Sequence, residues 1–474
     1  MQQNCIFLQN FIFSCRLTEI YAVNLHQQLC ISNEKIVVFF FRIIEEITIF
    51  AHYNCDTMTK TNDKSNRNIS ALVMLTIMMF LWGLANNMTG TMLQNFRHII
   101  NMDDFQESVI KSAFHAAYLF AALPAVIYLY KKHSYRTCIL LGLMLYALGS
   151  MFFFPAASRE SYVLYLIAIY VMATGCAVLE TVANTYIVAG APTHDQGVFR
   201  LNLAQSFNPL GSILGILLCQ YIMTDNAVYD DAVANNPEII REELDSITIL
   251  YAGLGEFLLV LLVTAMFVSI PSIDSVMIGH TAKDIRGSLR RLGGIPSFWL
   301  GAVAIFAYVG AQIGVWRFTI PTISEQGGEY DPATLYTYSM IGFAVSRFVF
   351  TWLIKYFRYQ KILFWTSMAA VGFTLSVILG EGTVVVTSII GISCCMAPMF
   401  ATIFGMALEN TGRDMQTGGA ILVMMIVGGA LLFAVQNILA NKLSAQMSYI
   451  LPVVCFLGLV AYSSFALLLS DKKK

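Results

Sequence analysis

SYVLYLIAIYVMATGCAVLETVANTYI, residues 161–187, is apolar except for one carboxylate, Glu180, and a few neutral polar groups, chief among them the amide of Asn184. The run exceeds the roughly 20 residues a helix needs to cross a bilayer. A helix on a soluble domain would carry a solvent-facing polar stripe, and this one has none. Its carboxylate and amide stand one turn apart on a single face. An apolar helix with a few polar groups on one side is a membrane span whose polar side faces a cavity.

Outward from this run, comparable windows fall at 70–95, 108–130, 136–155, 198–223, 247–270, 297–322, 333–354, 361–379, 383–406, 417–439 and 448–469, giving twelve spans with 161–187. The composition agrees. Of 474 residues, 57% are hydrophobic and 12% charged, whereas soluble domains carry about 25% charge. So few ionic groups cannot cover a soluble surface, which excludes a soluble enzyme, and the hydrophobicity excludes disorder. Twenty-eight basic against 29 acidic residues leave no basic field for nucleic acid. Cys138, Cys176, Cys219, Cys394, Cys395 and Cys455 lie in apolar runs, where a thiol acts as a small hydrophobe. No metal motif, nucleotide loop or nucleophile set appears, so neither a metal, a cofactor nor an enzymatic activity is expected.

Two loops are long: acidic 224–246 and basic 271–296. With the tail near Met58 inside, inner segments carry 18 Lys and Arg, among them Lys60, Lys131, Lys132, Arg136, Arg290, Arg291, Lys355, Arg358 and Arg413, against 5 outside (Arg97, Lys111, Arg159, Arg241 and Lys442). This bias puts both ends in the cytoplasm. Residues 1–57 read differently, since Arg42, Glu45 and Glu46 interrupt their most apolar stretch. The expectation is that Met58 is the native start and 1–57 a non-native or disordered extension. The domains are then 58–270, a first six-helix half; 271–296, a cytoplasmic linker; and 297–474, a second half. YLYKKHSYRTCIL (128–140) and WLIKYFRYQKILF (352–364) occupy equivalent places in the two halves. Two parallel six-helix repeats predict an all-α polytopic membrane protein of the major facilitator fold, with its ligand at midplane between the halves.

Polar residues inside the spans mark the candidate site. They are Trp82, Asn86 and Asn87 in span 1; Glu180 and Asn184 in span 4; Gln205 and Asn208, with Asn202, in span 5; and Gln312 and Trp316, with Tyr308, in span 7. Amides and a carboxylate bond sugar hydroxyls, and aromatic faces cover a pyranose. An anionic ligand would call for converging Arg or Lys, for which only Arg317 and Arg347 are candidates. Tyr308 reads as packing, His115 as a structural histidine, and Arg347 as snorkelling or bonded to a loop carbonyl. Gly428-Gly429 reads as close helix packing.

The pieces FLWGLANN (80–87), SAFHAAYLFAALPA (112–125), LETVAN (179–184), FRLNLAQSFNPLGS (199–212), YVGAQIGVW (308–316), SRFVFTWLI (346–354) and VMMIVGG (423–429) resemble, in order, the fucose–galactose–glucose proton symporter family of the major facilitator superfamily. The resemblance spans about 70–470. It implies uptake of L-fucose or a related hexose through the bacterial inner membrane, by a monomer among membrane lipids, with a proton as the coupling ion and no other cofactor. It places proton exchange on Glu180 and polar lining on Asn87, Gln205 and Asn208. One departure stands out: the family pattern Asn-Asn-Leu-Asn-Asp reads Asn86-Asn87-Met88-Thr89-Gly90 here. With no acid at 90, Glu180 carries the proton alone, or transport is uncoupled, or the pocket takes another sugar. A carrier of another substrate and a non-transporting sugar sensor also stay open.

Overall fold

A computed structural model describes residues 71–88, 104–159, 161–223, 237–268, 270, 285–327 and 331–472. The 1–57 segment, Met58, Gly90 and residues 271–284 of the linker lie outside them. All regular elements among the described residues are helical. In chain order they are α1 (Ala71–Met88), α2 (Asp104–Lys132), α3 (Tyr135–Ser158), α4 (Tyr162–Ala189), α5 (His194–Gln205 and Asn208–Met223), α6 (Pro237–Phe267), α7 (Pro296–Glu325), α8 (Pro332–Leu353), α9 (Tyr359–Leu379), α10 (Thr383–Met396 and Met399–Leu408), α11 (Gly412–Lys442) and α12 (Ile450–Lys472). A short linker helix, Ile285–Gly293, separates α6 from α7.

Eleven of these are long and apolar enough to cross a membrane. The exception is α8, whose hydropathy is lowered by Thr334, Tyr336, Thr337, Tyr338, Ser339 and Arg347. It is helical through its cap: Asp331 accepts from the Ala333 and Thr334 amides, and Pro332 starts the first turn. Two expectations are corrected. Glu238, Glu242, Glu243 and Asp245, inside the acidic 224–246 loop, lie on α6, and Asp104, between the windows 70–95 and 108–130, begins α2. Pro237 at the first position and an acid beside it suit a helix start, so the acidic stretch does not keep the helix from beginning there.

Two helices are broken in mid-bundle. In α5 the interruption falls at Ser206–Phe207. Pro209 has no N–H to give the Gln205 carbonyl four residues back. In α10 it falls at Ala397–Pro398. The second piece of α5 packs closely on α1. A Cβ on Gly83 would strike the Asn208 carbonyl, and one on Gly211 the Phe80 carbonyl.

Contacts between α1–α6 and α7–α12 cluster at the end where the linker helix sits. Tyr130 and Thr417 hydroxyls pair at 3.0 Å. Gln416 donates to the Tyr135 hydroxyl and accepts from Thr185, both at 2.6 Å. Ser206 meets Thr351 at 3.0 Å. Arg291 on the linker helix grips Asp414, at the start of α11, through two bonds of 2.7 and 2.8 Å. This end of the bundle is closed. Toward the other end the helices part around a cavity.

Candidate functional site

The cavity has a volume of about 390 Å³ and runs from mid-bundle to Ala333, in the first turn of α8 at the end away from the linker. That is within the usual size range of small-ligand sites. Of the nine residues singled out by sequence, Trp82, Asn86, Asn87, Glu180, Gln205, Asn208, Gln312 and Trp316 line it. Asn184 does not. It is fully buried behind the wall, where it takes a bond from Gln205 (3.1 Å) and gives one to Glu180 Oε1 (3.5 Å). The three form a chain across α5 and α4 that fixes the carboxyl.

That chain uses only one carboxyl oxygen. Glu180 is 3% exposed, and its Oε2 has no hydrogen-bond partner. The Trp316 Nε1 is also buried without a partner. Both residues line the cavity, and buried polar atoms are nearly always bonded. Trp82 is different, since its Nε1 donates to the Tyr118 hydroxyl and only its ring serves the cavity. Asn208 spends its amide on the Met79 carbonyl at 3.2 Å, tying α5 to α1.

Tyr308 is not part of the wall. Its hydroxyl bonds the Met396 carbonyl at 3.0 Å. A step of four residues turns a helix by about 400°, so the stripe Tyr308, Gln312, Trp316 drifts by about 40° per step, and its first member leaves the cavity. Asn202 likewise lies at the closed end, bonded to Val198 and Thr402.

Several lining residues were not singled out as site residues. Tyr336, Thr337, Met340, Phe343 and Arg347 form the α8 face, whose helical spacing was legible but whose span read only as one of twelve. Phe343 meets the Trp316 ring edge-on at 5.0 Å. His115 lines the cavity too, and its Nε2 faces Gly429 of α11, where a Cβ would stand 3.0 Å away. Arg347 is buried and donates to the Ala397 carbonyl (2.9 Å) and the Gln205 carbonyl (2.6 Å). It thus bonds carbonyls at both helix breaks, one in each half. Among the described residues no group of His, Cys, Asp or Glu has metal-ligand geometry. The lining offers amides, hydroxyls, aromatic faces, one carboxyl and two guanidinium groups, of which Arg347 is spent on carbonyls, and this suits a small ring bearing hydroxyls.

A family model described as Major Facilitator Superfamily matches residues 75–435. An L-fucose-proton symporter of Escherichia coli (strain K12) is 30% identical over 418 residues, spanning 86% of this chain and 95% of that protein. A glucose/galactose transporter of Brucella abortus is 28% identical over 421 residues, spanning 87% and 97%. Among solved structures, a major facilitator transporter, FucP, in the outward conformation superposes with a TM-score of 0.76 at 30% identity, covering 83% of this chain and 98% of that one.

Proposed function

The chain belongs to the Major Facilitator Superfamily, and we propose that it takes up L-fucose or a related hexose together with a proton, by alternating access. The observation that carries this reading is the cavity lining, in which Glu180 and the amides of Asn86, Asn87, Gln205 and Gln312 stand together with the rings of Trp82, Trp316 and Phe343. A pyranose hydroxyl both donates and accepts, so a sugar suits such groups. The rings of Trp82, Trp316 and Phe343 cover its C–H faces.

The coupling follows from the cost of burial. Closing a dry cavity over a charged carboxyl is expensive. Protonated Glu180 is neutral and donates from Oε2 to a sugar hydroxyl, while Asn184 holds Oε1. Proton and sugar then favour the same occluded state, which is the condition for coupled transport. The Glu180 carboxyl is the only one among the described lining residues, and it serves as the proton carrier. Residues 58–270 and 297–474 act as the two rocking halves. The linker end faces the cytoplasm with both termini, as the Lys and Arg bias favours, in the bacterial inner membrane. The protein acts as a monomer.

Uptake of labelled L-fucose into proteoliposomes, with and without an inward proton gradient, tests this, with D-galactose, D-glucose and N-acetylated sugars as competitors. Gradient-driven accumulation is expected. Equilibration alone would refute the proton coupling, and no flux or competition by any hexose would refute the sugar.

A further inference from the structure

Arg317 is the charge this cycle leaves unused. It lies on α7 one residue beyond Trp316 and is exposed into the cavity, on the same wall as Gln312, Trp316 and Ile320. It stands roughly 12 Å of helix rise before Glu325, the last residue of α7. Among the described residues it has no hydrogen bond or ion pair, the one salt bridge there being Arg291–Asp414. The other guanidinium at the cavity, Arg347, is already engaged by two carbonyls.

The charge balance is one-sided. Once Glu180 is protonated, the described lining holds two guanidinium charges and no anion. Closing over a neutral hexose leaves Arg317 desolvated without a counter-charge among the described lining residues, which is costly. A carboxylate on the ligand removes that cost, because a guanidinium binds a carboxylate through two parallel bonds. Trp316 and Arg317 are chain neighbours that both line the cavity.

Resting on the reading of the cavity as a proton-coupled hexose site, we infer that it accepts, beside neutral hexoses, a hexose bearing a carboxylate, a hexuronic acid, with Arg317 as the ligand of that carboxylate. The electrical balance then differs between substrates. A neutral hexose with the proton on Glu180 carries one positive charge inward. A hexuronate anion with the same proton carries none.

The test uses the full chain in proteoliposomes, with labelled D-glucuronate and D-galacturonate, and with L-fucose, D-galactose and D-glucose as neutral references. A potassium–valinomycin clamp sets the membrane potential independently of the pH gradient. The expected result is accumulation of at least one acid, driven by the pH gradient and insensitive to the potential, while neutral uptake responds to both. In Arg317→Gln the ratio of acid to neutral uptake falls by about tenfold or more, and Arg317→Lys recovers part of it. Stabilisation of the purified wild type by D-glucuronate in thermal unfolding, weakened in Arg317→Gln, reads binding apart from transport. Neutral uptake with no acid uptake or binding overturns the inference and leaves the hexose reading standing. An equal loss of acid and neutral uptake in Arg317→Gln overturns it by making Arg317 part of the gate. Absence of any hexose flux or binding sinks the reading it rests on, and the inference with it.

Discussion

Gln416 holds the closed end from one side chain, and Gln416→Ala measures how much that closure is worth. Its Nε2 donates to the Tyr135 hydroxyl and its Oε1 accepts from Thr185, each at 2.6 Å and each across the two halves. Gln416 is fully buried, so truncation removes two neutral hydrogen bonds that opening would break anyway. At about 1 kcal/mol each, the closed form loses about 2 kcal/mol relative to the open one, a shift of roughly 30-fold in their ratio. With Gln416 truncated, the Thr185 hydroxyl turns its one proton to the Thr181 carbonyl at 2.8 Å, so the variant leaves the α4 backbone intact. Nitroxides on exposed Lys132 and Arg413, one in each half near this end, report the change as a distance distribution by electron-spin resonance in liposomes. The expected result is a long-distance population that grows in Gln416→Ala without ligand. An unchanged distribution from a folded variant would refute the assignment of closure to these bonds.

Three further outcomes concern the cavity. Glu180→Gln keeps a hydrogen-bonding group but cannot exchange a proton, so counterflow of unlabelled for labelled sugar persists while gradient-driven accumulation is lost; full accumulation would remove Glu180 from the coupling. Trp316→Phe keeps a ring and deletes the unmet Nε1 donor. A lost neutral hydrogen bond of about 0.5–1.5 kcal/mol raises KM about two- to tenfold with little change in maximal rate, and a KM unchanged within error would mean that the indole bonds no ligand. Gln205→Ala breaks the chain to Asn184 but leaves its own carbonyl in place, so accumulation falls while the spin-label distances at the linker end stay as in the wild type; a shift in those distances would show that the side chain also holds the gate.

Most of the fold was legible because a bilayer imposes one rule: apolar segments of sufficient length are helices. Even α8, which is less apolar, keeps the spacing of a span, and three of its extra polar groups, Tyr336, Thr337 and Arg347, line the cavity. The site was legible by the converse rule, that polar groups in such helices have a reason. What sequence spacing missed was rotation and pairing. The four-residue stripe on α7 drifts, so Tyr308 turns to α10. The Glu180–Asn184 pair does share a face, yet Asn184 ends up behind the wall because Gln205 comes from α5 to meet it. Gln416, Tyr135 and Thr185 carry no local signal at all, since they are far apart in sequence and meet only when the halves dock. Arg347 read as a snorkelling or carbonyl-bonded residue. It is the latter, but its carbonyls lie at two helix breaks rather than in a loop.

Those breaks explain how a ligand in the cavity and the closed end belong to one mechanism. Pro209 deprives the Gln205 carbonyl of its usual helical partner, and Arg347 from the other half supplies a substitute at 2.6 Å. The side chain of Gln205 leads through Asn184 to Glu180. Gln205 is therefore bonded in two directions: its backbone to the opposite half, its side chain to Asn184, which bonds the Glu180 carboxyl. Opening the linker end must break the Arg347 bond and leave a buried guanidinium and a free carbonyl to be satisfied by water, a cost of about 1.5–3 kcal/mol for a bond to a charged group. That cost holds the linker end shut while the cavity stays open toward the other side. It is of the same order as what a few new hydrogen bonds contribute when a ligand is enclosed. A site whose binding energy merely matched the open cavity would leave the equilibrium where it was. A site whose bonds form fully only when the walls close, as the unmet atoms on Glu180 and Trp316 require, offsets the cost of releasing the far end.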